Sequence, residues 1–230
     1  YRLVMYGLAA IAAWGIVLNG WTYIPALIIL VLTCYIANYL LAKIFKSPVN
    51  AESATITALI LFLLLSPKNI WHLLLAATIA MASKYLLAIN KKHIFNPAAV
   101  STVILSLLGV NIAWWVDGRA MLPVVCIVGF LIVRKIRKFP LALSMLAVGF
   151  LLTKQPQIFL ATVMLTEPLT TPPNNFLQIT YGLLVGSLLG VTPPELALVI
   201  GNLFAYFVSF KYRLVLTLKQ KKQIAPNIWE

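Results

Sequence analysis

NAESATITALILFLLLSPKN, residues 50–69, sets an apolar run between a hydroxyl-rich opening and a Ser-Pro-Lys-Asn close. A bilayer core of about 30 Å takes roughly 20 residues of straight helix. The run at 51–65 predicts a helix too short to cross alone. Backbone that stops at membrane depth is tolerated only where it is buried in protein or lines a cavity. A second stretch, 157–167, is equally short and ends in TEPLTTPP at 166–173. The bilayer is the relevant solvent because of the rest of the chain. Hydrophobic residues make up 62% of its 230 residues and charged residues 10%, with a mean hydropathy of +0.96. Soluble domains carry about a quarter charged residues, and one core of this length cannot hide so much apolar surface.

Outward from these two breaks, Pro, Gly, Asn and charge clusters divide the chain into ten apolar segments. They fall near 3–19, 21–45, 51–65, 70–89, 97–113, 120–133, 139–153, 157–167, 176–191 and 195–211. The first has no small-residue cleavage site and is expected to be a retained span. Basic residues settle the orientation. With the N-terminus inside, the inner loops hold Arg2, Lys43, Lys46, Lys91, Lys92, the RKIRK run at 134–138 and everything from Lys211 onward, against Lys68, Arg119 and Lys154 outside. This asymmetry predicts a multi-pass protein with both termini cytoplasmic, and the membrane is expected to be a bacterial inner membrane. The net charge of +13 then reports orientation and lipid contact, without nucleic acid. Ten segments also divide into two sets of five, each with a short third member and a Pro-initiated fifth. Five is odd, so the second set runs inverted, an arrangement that places binding sites at the repeat interface. The expected fold is all-α, with two inverted five-helix repeats and broken half-helices.

Polar residues inside an apolar chain mark function, and three clusters stand out. Asn50, Glu52, Ser53, Thr55 and Thr57 open the third segment; Asn96-Pro97 opens the fifth; Thr166, Glu167, Thr170 and Thr171 close the eighth. All three approach from the cytoplasmic half, where helix N-termini offer free N–H groups. Ser/Thr hydroxyls bonding back to the backbone are the competing explanation. Lys84 either snorkels to the inner surface or is a buried cation. His72 and His93 lie too far apart along the fourth segment to ligate one haem. Thr192-Pro-Pro-Glu195 fits a capping box. Trp114-Trp115 reads as an interfacial anchor, and Cys34 and Cys126 as small packing residues. No metal site is expected.

Several motifs resemble the NqrB/RnfD family, the flavin-carrying membrane subunits of sodium-pumping quinone reductase and of the Rnf complex. They are SATITALILFLLLSP at 53–67, SKYLLAINKKHIFNPAAV at 83–100, and VMLTEPLTTPP at 163–173 followed by YGLLVG at 181–186. The resemblance implies a fold similar to urea channels and one or two flavins, FMN or riboflavin, held between the broken helices. The implied contacts are Ser53, Thr55, Thr57, Asn96, Thr166, Glu167, Thr170 and Thr171, with Lys84 stabilising the reduced anion. The family's SGAT-type loop, where a threonine carries FMN covalently, is replaced here by WWVDGRAMLP at 114–123, which has no serine or threonine. Any covalent link would fall on Thr170 or Thr171. Residues 212–230 alternate apolar and polar, a strand pattern. They are similar to the opening strand of a ferredoxin–NADP reductase-like domain, which would bring FAD and NAD(P)H. The expectation is a transmembrane electron-transfer domain at 1–211, part of an NAD(P)H-dependent flavin oxidoreductase, with 212–230 leading into a reductase module. Its partners would be the lipid bilayer and that module, with a homodimer left open. The rival is a small-solute channel or transporter on the same fold.

Overall fold

The computed structural model describes residues 2–89 and 92–224, with 211–224 described as backbone. The described residues are mainly helical. The α-helices are α1 (Arg2–Asn19), α2 (Ile24–Ile44), α3 (Ala51–Leu64), α4 (Ile70–Leu86), α5 (Pro97–Leu107), α6 (Leu122–Ile136), α7 (Phe139–Thr153), α8 (Asn175–Leu188) and α9 (Pro194–Ile224). A π-helical segment, Leu160–Met164, lies between α7 and α8. β1 (Ala88–Ile89) and β2 (Lys92–His93) pair antiparallel, Ala88 opposite His93.

Asparagine starts four of these helices. The Asn50, Asn69, Asn96 and Asn174 side chains accept from the backbone N–H of Ser53, Trp71, Ala99 and Leu177 at 3.0, 2.9, 3.2 and 2.8 Å. Each satisfies one of the amides that a helix leaves unpaired at its first turn. α5 stops at Leu107, short of the expected residue 113, because Gly109 takes φ 80°. The Val110 N–H then returns to Leu105 O and the Gly109 N–H to Ser106 O, both at 3.0 Å. This closing motif needs the left-handed conformation that glycine adopts freely. α4 likewise ends at Leu86 rather than 89 and turns into β1. At the far end α9 continues to Ile224, so residues 212–224 are helical where a strand was expected. The KQKKQ run consists of good helix formers. Residues 225–230 of that expected module lie outside the described residues.

The two short segments sit at the centre. Residues 57–65 of α3 and 159–166 around the π segment are buried without interruption. α1 and α2 pack on α3, α2 on α4, and α4 on α5. The same scheme recurs in the second five: α6 and α7 pack on the π segment, α7 on α8, and α8 on α9. Contacts of α1 with α6 and of α5 with α9 join the halves. α2 shows how the periphery differs from a water-soluble bundle. Its buried stripe is Ala26, Leu30, Cys34, Asn38 and Ala42, while Ile28, Leu32, Ile36, Leu40 and Ile44 face outward. The outer stripe is the more apolar of the two. By length and composition two segments, Arg2–Asn19 and Trp21–Ile44, are long and apolar enough to cross a membrane.

α7 and α8 approach most closely at Gly182, where a Cβ would land on Ser144 Oγ and 2.6 Å from Leu141 O. The neighbour on one side is backbone and cannot step away. Gly182→Ala is expected to cost about 1–3 kcal/mol through overpacking, read as a lower midpoint in thermal unfolding of the purified protein.

Candidate functional site

Two clefts share one wall, the turn Glu167-Pro168 that follows the π segment. The first, about 720 Å³ with its mouth, is mainly apolar and lies between α1, α3, α6 and the N-terminus of α5. Ser53, Thr57, Asn96, Thr166 and Glu167 supply its polar atoms, among Ile56, Ile60, Ile132, Ile136 and Val163. The second, about 1110 Å³, is more polar and is lined by β2, the 168–173 loop and the outer face of α9. Lys92, His93, Thr170, Thr171 and Ser209 contribute there.

Glu167 is the hub. Its Oε1 lies 2.9 Å from His93 Nε2, and its Oε2 accepts from Asn96 Nδ2 at 3.1 Å. The Thr170 and Thr171 hydroxyls both donate to its backbone carbonyl. Asn96 extends the network: its backbone N–H donates to Asn202 Oδ1 at 2.8 Å, and Asn202 Nδ2 donates to Tyr181 Oη at 2.7 Å. Asn96, Asn202 and Tyr181 are buried. Carboxylates left unpaired in such surroundings are very costly, and both oxygens of Glu167 have partners. Lys84 and Lys138 lie within electrostatic reach of Glu167. At Lys138, in the turn between α6 and α7, burial pushes the ammonium down to about 8 and the Glu167 carboxylate pulls it partly back.

Six of the nine sequence-derived contacts need restating. Thr55 lines neither cleft and donates to Ala51 O at 3.1 Å. Thr170 and Thr171 line the polar cleft on the other side of Glu167-Pro168, apart from Ser53 and Thr57. The hydroxyls were expected to act as donors to a ligand, but Thr57 donates to Ser53 O at 3.0 Å and Thr166 to Thr162 O at 2.7 Å. Bonding back to the carbonyl four residues earlier is what an apolar environment enforces. These threonines therefore show lone pairs to the cleft, and of the hydroxyls that line it Ser53 Oγ is left free to donate. Lys84 does not snorkel: its Nζ meets Asn38 Oδ1 at 3.4 Å, and Tyr85 Oη donates to the same oxygen at 2.8 Å. Sequence reasoning weighed His93 only as a haem ligand and passed over Asn202. A lone Asn within an apolar helix is a usable signal for Asn202, whereas the contact of His93 with Glu167 is set by its place on β2, opposite Ala88.

At the opposite end of the short helices the WWVD stretch folds inward instead of anchoring at a surface. Trp115 Nε1 donates to Phe62 O and Leu65 O at 2.8 and 3.2 Å, and its ring meets Phe62 and Tyr23 edge-on at 5.3 and 5.7 Å. Trp114 Nε1 donates to Glu195 Oε2 at 3.0 Å, so Glu195 is not the far half of a capping box. Thr192 Oγ1 instead donates to Leu188 O. Asp117, two residues further on, has both carboxylate oxygens buried without a hydrogen-bond partner among the described residues.

Burial pushes the Asp117 carboxyl up to about 7, and the Phe159 backbone amide, nearby but outside hydrogen-bonding geometry, pulls it only partly back. A carboxyl whose folded value is raised binds its proton more tightly in the native state. Stability therefore falls as pH rises from about 4 to about 7. Asp117→Asn is expected to flatten that fall and to raise the thermal midpoint at pH 7.5, by a few kcal/mol of stability. Melting curves of both proteins across pH 4 to 8 check it; a mutant less stable at pH 7.5 would contradict it.

The chain matches no protein-family model and no curated protein, so the reading of these clefts rests on the chemistry of the residues that line them.

Proposed function

We propose that the chain is a multi-pass membrane domain that holds a flavin, FMN or riboflavin, in the apolar cleft beside Glu167 and uses it to pass electrons across the bilayer. The observation that carries this reading is convergence: Ser53, Asn96 and Glu167, far apart in sequence, meet in one cleft. Apolar walls with a few placed polar groups suit a planar ring. Isoalloxazine presents an imide N–H and two carbonyls. The imide N–H can be met by the threonine lone pairs or the Glu167 carboxylate, and a carbonyl by Ser53 Oγ. The chemistry of electron transfer belongs to the flavin; the residues around it bind, orient and tune.

The outward apolar stripe of α2 supports the lipid-embedded part of the proposal, because a helix apolar all round is either buried or lipid-facing. The repeated packing scheme, α2 on α4 and α7 on α8, supports two five-helix units. With an odd number of crossings each, they run inverted, as in urea channels. Two short helices at the centre, neither able to span alone, fit sites near the midplane. A solute channel on this scaffold would need a path along that centre, and the unbroken burial of residues 57–65 favours the electron-transfer reading over it. The electron donor is a reduced flavoprotein on the side of the RKIRK turn, and the acceptor lies on the side of the WWVD stretch.

The purified protein, or protein reconstituted with riboflavin or FMN, is expected to be yellow and to hold at least one flavin. Asn96→Leu is expected to lower flavin content severalfold, whereas Arg119→Ala leaves it unchanged. Absorbance spectra after gel filtration decide; folded, colourless protein that takes up neither flavin overturns the reading. For the topology, cysteines placed at Lys135 and Lys154 are expected to react oppositely in intact cells, only position 154 admitting an impermeant reagent.

A further inference from the structure

His93 lines the polar cleft and Glu167 lines the apolar one, and the two side chains are bonded to each other at 2.9 Å. They form a two-member hydrogen-bonded wire through the wall that separates the clefts. We propose that His93 and Glu167 are the proton inlet of the ligand cleft, carrying a proton from the polar cleft to a ligand whose reduction takes one up. The inference rests on the reading of the apolar cleft as a redox-ligand site.

The geometry gives each group one face to each side. Along β2 the side chains alternate, Lys92 outward and His93 inward. The inward turn points Nε2 at Glu167 and leaves Nδ1 as the second ring nitrogen, on a residue that borders the polar cleft. Glu167 is fixed by Asn96 Nδ2 on its other oxygen and by the two threonine hydroxyls on its carbonyl. That leaves its position little freedom but its protonation state free. The charged groups around the pair come from every side. Lys84 of α4 and Lys138 of the α6–α7 turn both act on Glu167, Lys92 stands beside His93, and Tyr181 of α8 closes the Asn202 arm. Glu52 of α3 is paired with Arg2 at 3.4 Å.

The step balances as follows. A flavin bound in the apolar cleft and reduced by two electrons from the donor flavoprotein would take up a proton, and Glu167 would hand that proton over and be left as a carboxylate. A hydronium proton from the polar cleft would be taken up at His93 Nδ1 as the Nε2–H passes to Glu167 Oε1, and tautomer exchange of the imidazole would then restore the Nε2–H. One proton leaves solution for each proton taken by the ring. Neutral imidazole suits this exchange, since it can gain a proton at one nitrogen while losing one at the other.

The test uses the full chain loaded with riboflavin or FMN, reduced in a stopped-flow instrument across pH 6 to 9, with the protonation of the reduced flavin followed by absorbance. His93→Gln keeps a hydrogen-bond donor to Glu167 but cannot relay. It is expected to retain flavin and to slow flavin protonation by about 10²-fold, within the range for loss of a positioned acid–base group. Exogenous imidazole should restore the rate in His93→Ala and not in Glu167→Gln. A structural role for His93 would not produce that rescue. Should these variants fail to fold, the reduced-minus-oxidised infrared spectrum of the wild-type protein serves. A carboxylic C=O band that changes on reduction supports the relay, and its absence overturns it. Wild-type protein that binds flavin, with His93→Gln protonating it at the wild-type rate, overturns the relay alone. Wild-type protein that takes up no flavin overturns the relay together with the ligand reading.

Discussion

A carboxylate set among apolar helices has to be held from every direction, and Glu167 is held that way. His93 and Asn96 take its two oxygens, Thr170 and Thr171 take its carbonyl, and Lys84 and Lys138 supply opposing charge. Those partners come from β2, the start of α5, the loop after the π segment, α4 and the α6–α7 turn. Much of the topology can be understood as the means of bringing them to one point. α5 begins where it does because Asn96 must both cap it and reach Glu167. α9 passes where it does because Asn202 must receive the Asn96 amide.

The packing scheme repeats between the two halves, but the chemistry at the two ends of the central helices does not. At the Glu167 end the polar groups surround open space. At the other end Trp115 fills the corresponding room, bonded to the carbonyls that α3 leaves free at its close. Trp114 caps Glu195 at the start of α9. One scaffold used twice thus yields one open cleft and one packed end. The sequence difference responsible is local, the WWVD stretch.

Much of the architecture could be read from residues alone, because in a chain this apolar the interruptions carry the information. Asn50, Asn96 and the Ser-Pro close of α3 bracket helices almost to the residue, and the shortness of 51–65 and 157–167 placed both at the centre. The convergence of Ser53, Thr57, Asn96, Thr166 and Glu167 was legible for the same reason. What sequence could not give was direction. The hydroxyls of Thr57 and Thr166 turn back to their own helix, a choice made by the absence of water around them. Thr170 and Thr171 fall across the wall because Pro168 turns the chain. The strand expected at 212–224 failed because an alternating pattern describes only a face, and the KQKKQ run consists of good helix formers.

The π turn at Leu160–Met164 spends one residue more than an α-helical path of the same rise would. Everything beyond it is rotated by most of a right angle relative to an uninterrupted α-helix, and Thr166 and Glu167 lie directly beyond it. A deletion of a single residue inside 160–164 would let the segment relax to α-helix with its packing surface nearly intact. Glu167 would then swing away from His93 and Asn96 toward the packed interior. Insertions and deletions in a buried helix are usually thought of as damage to folding. Here one codon's worth of length sets whether the acid faces the cleft, so homologous chains that keep every residue named above but lack that extra position would have the scaffold without the site.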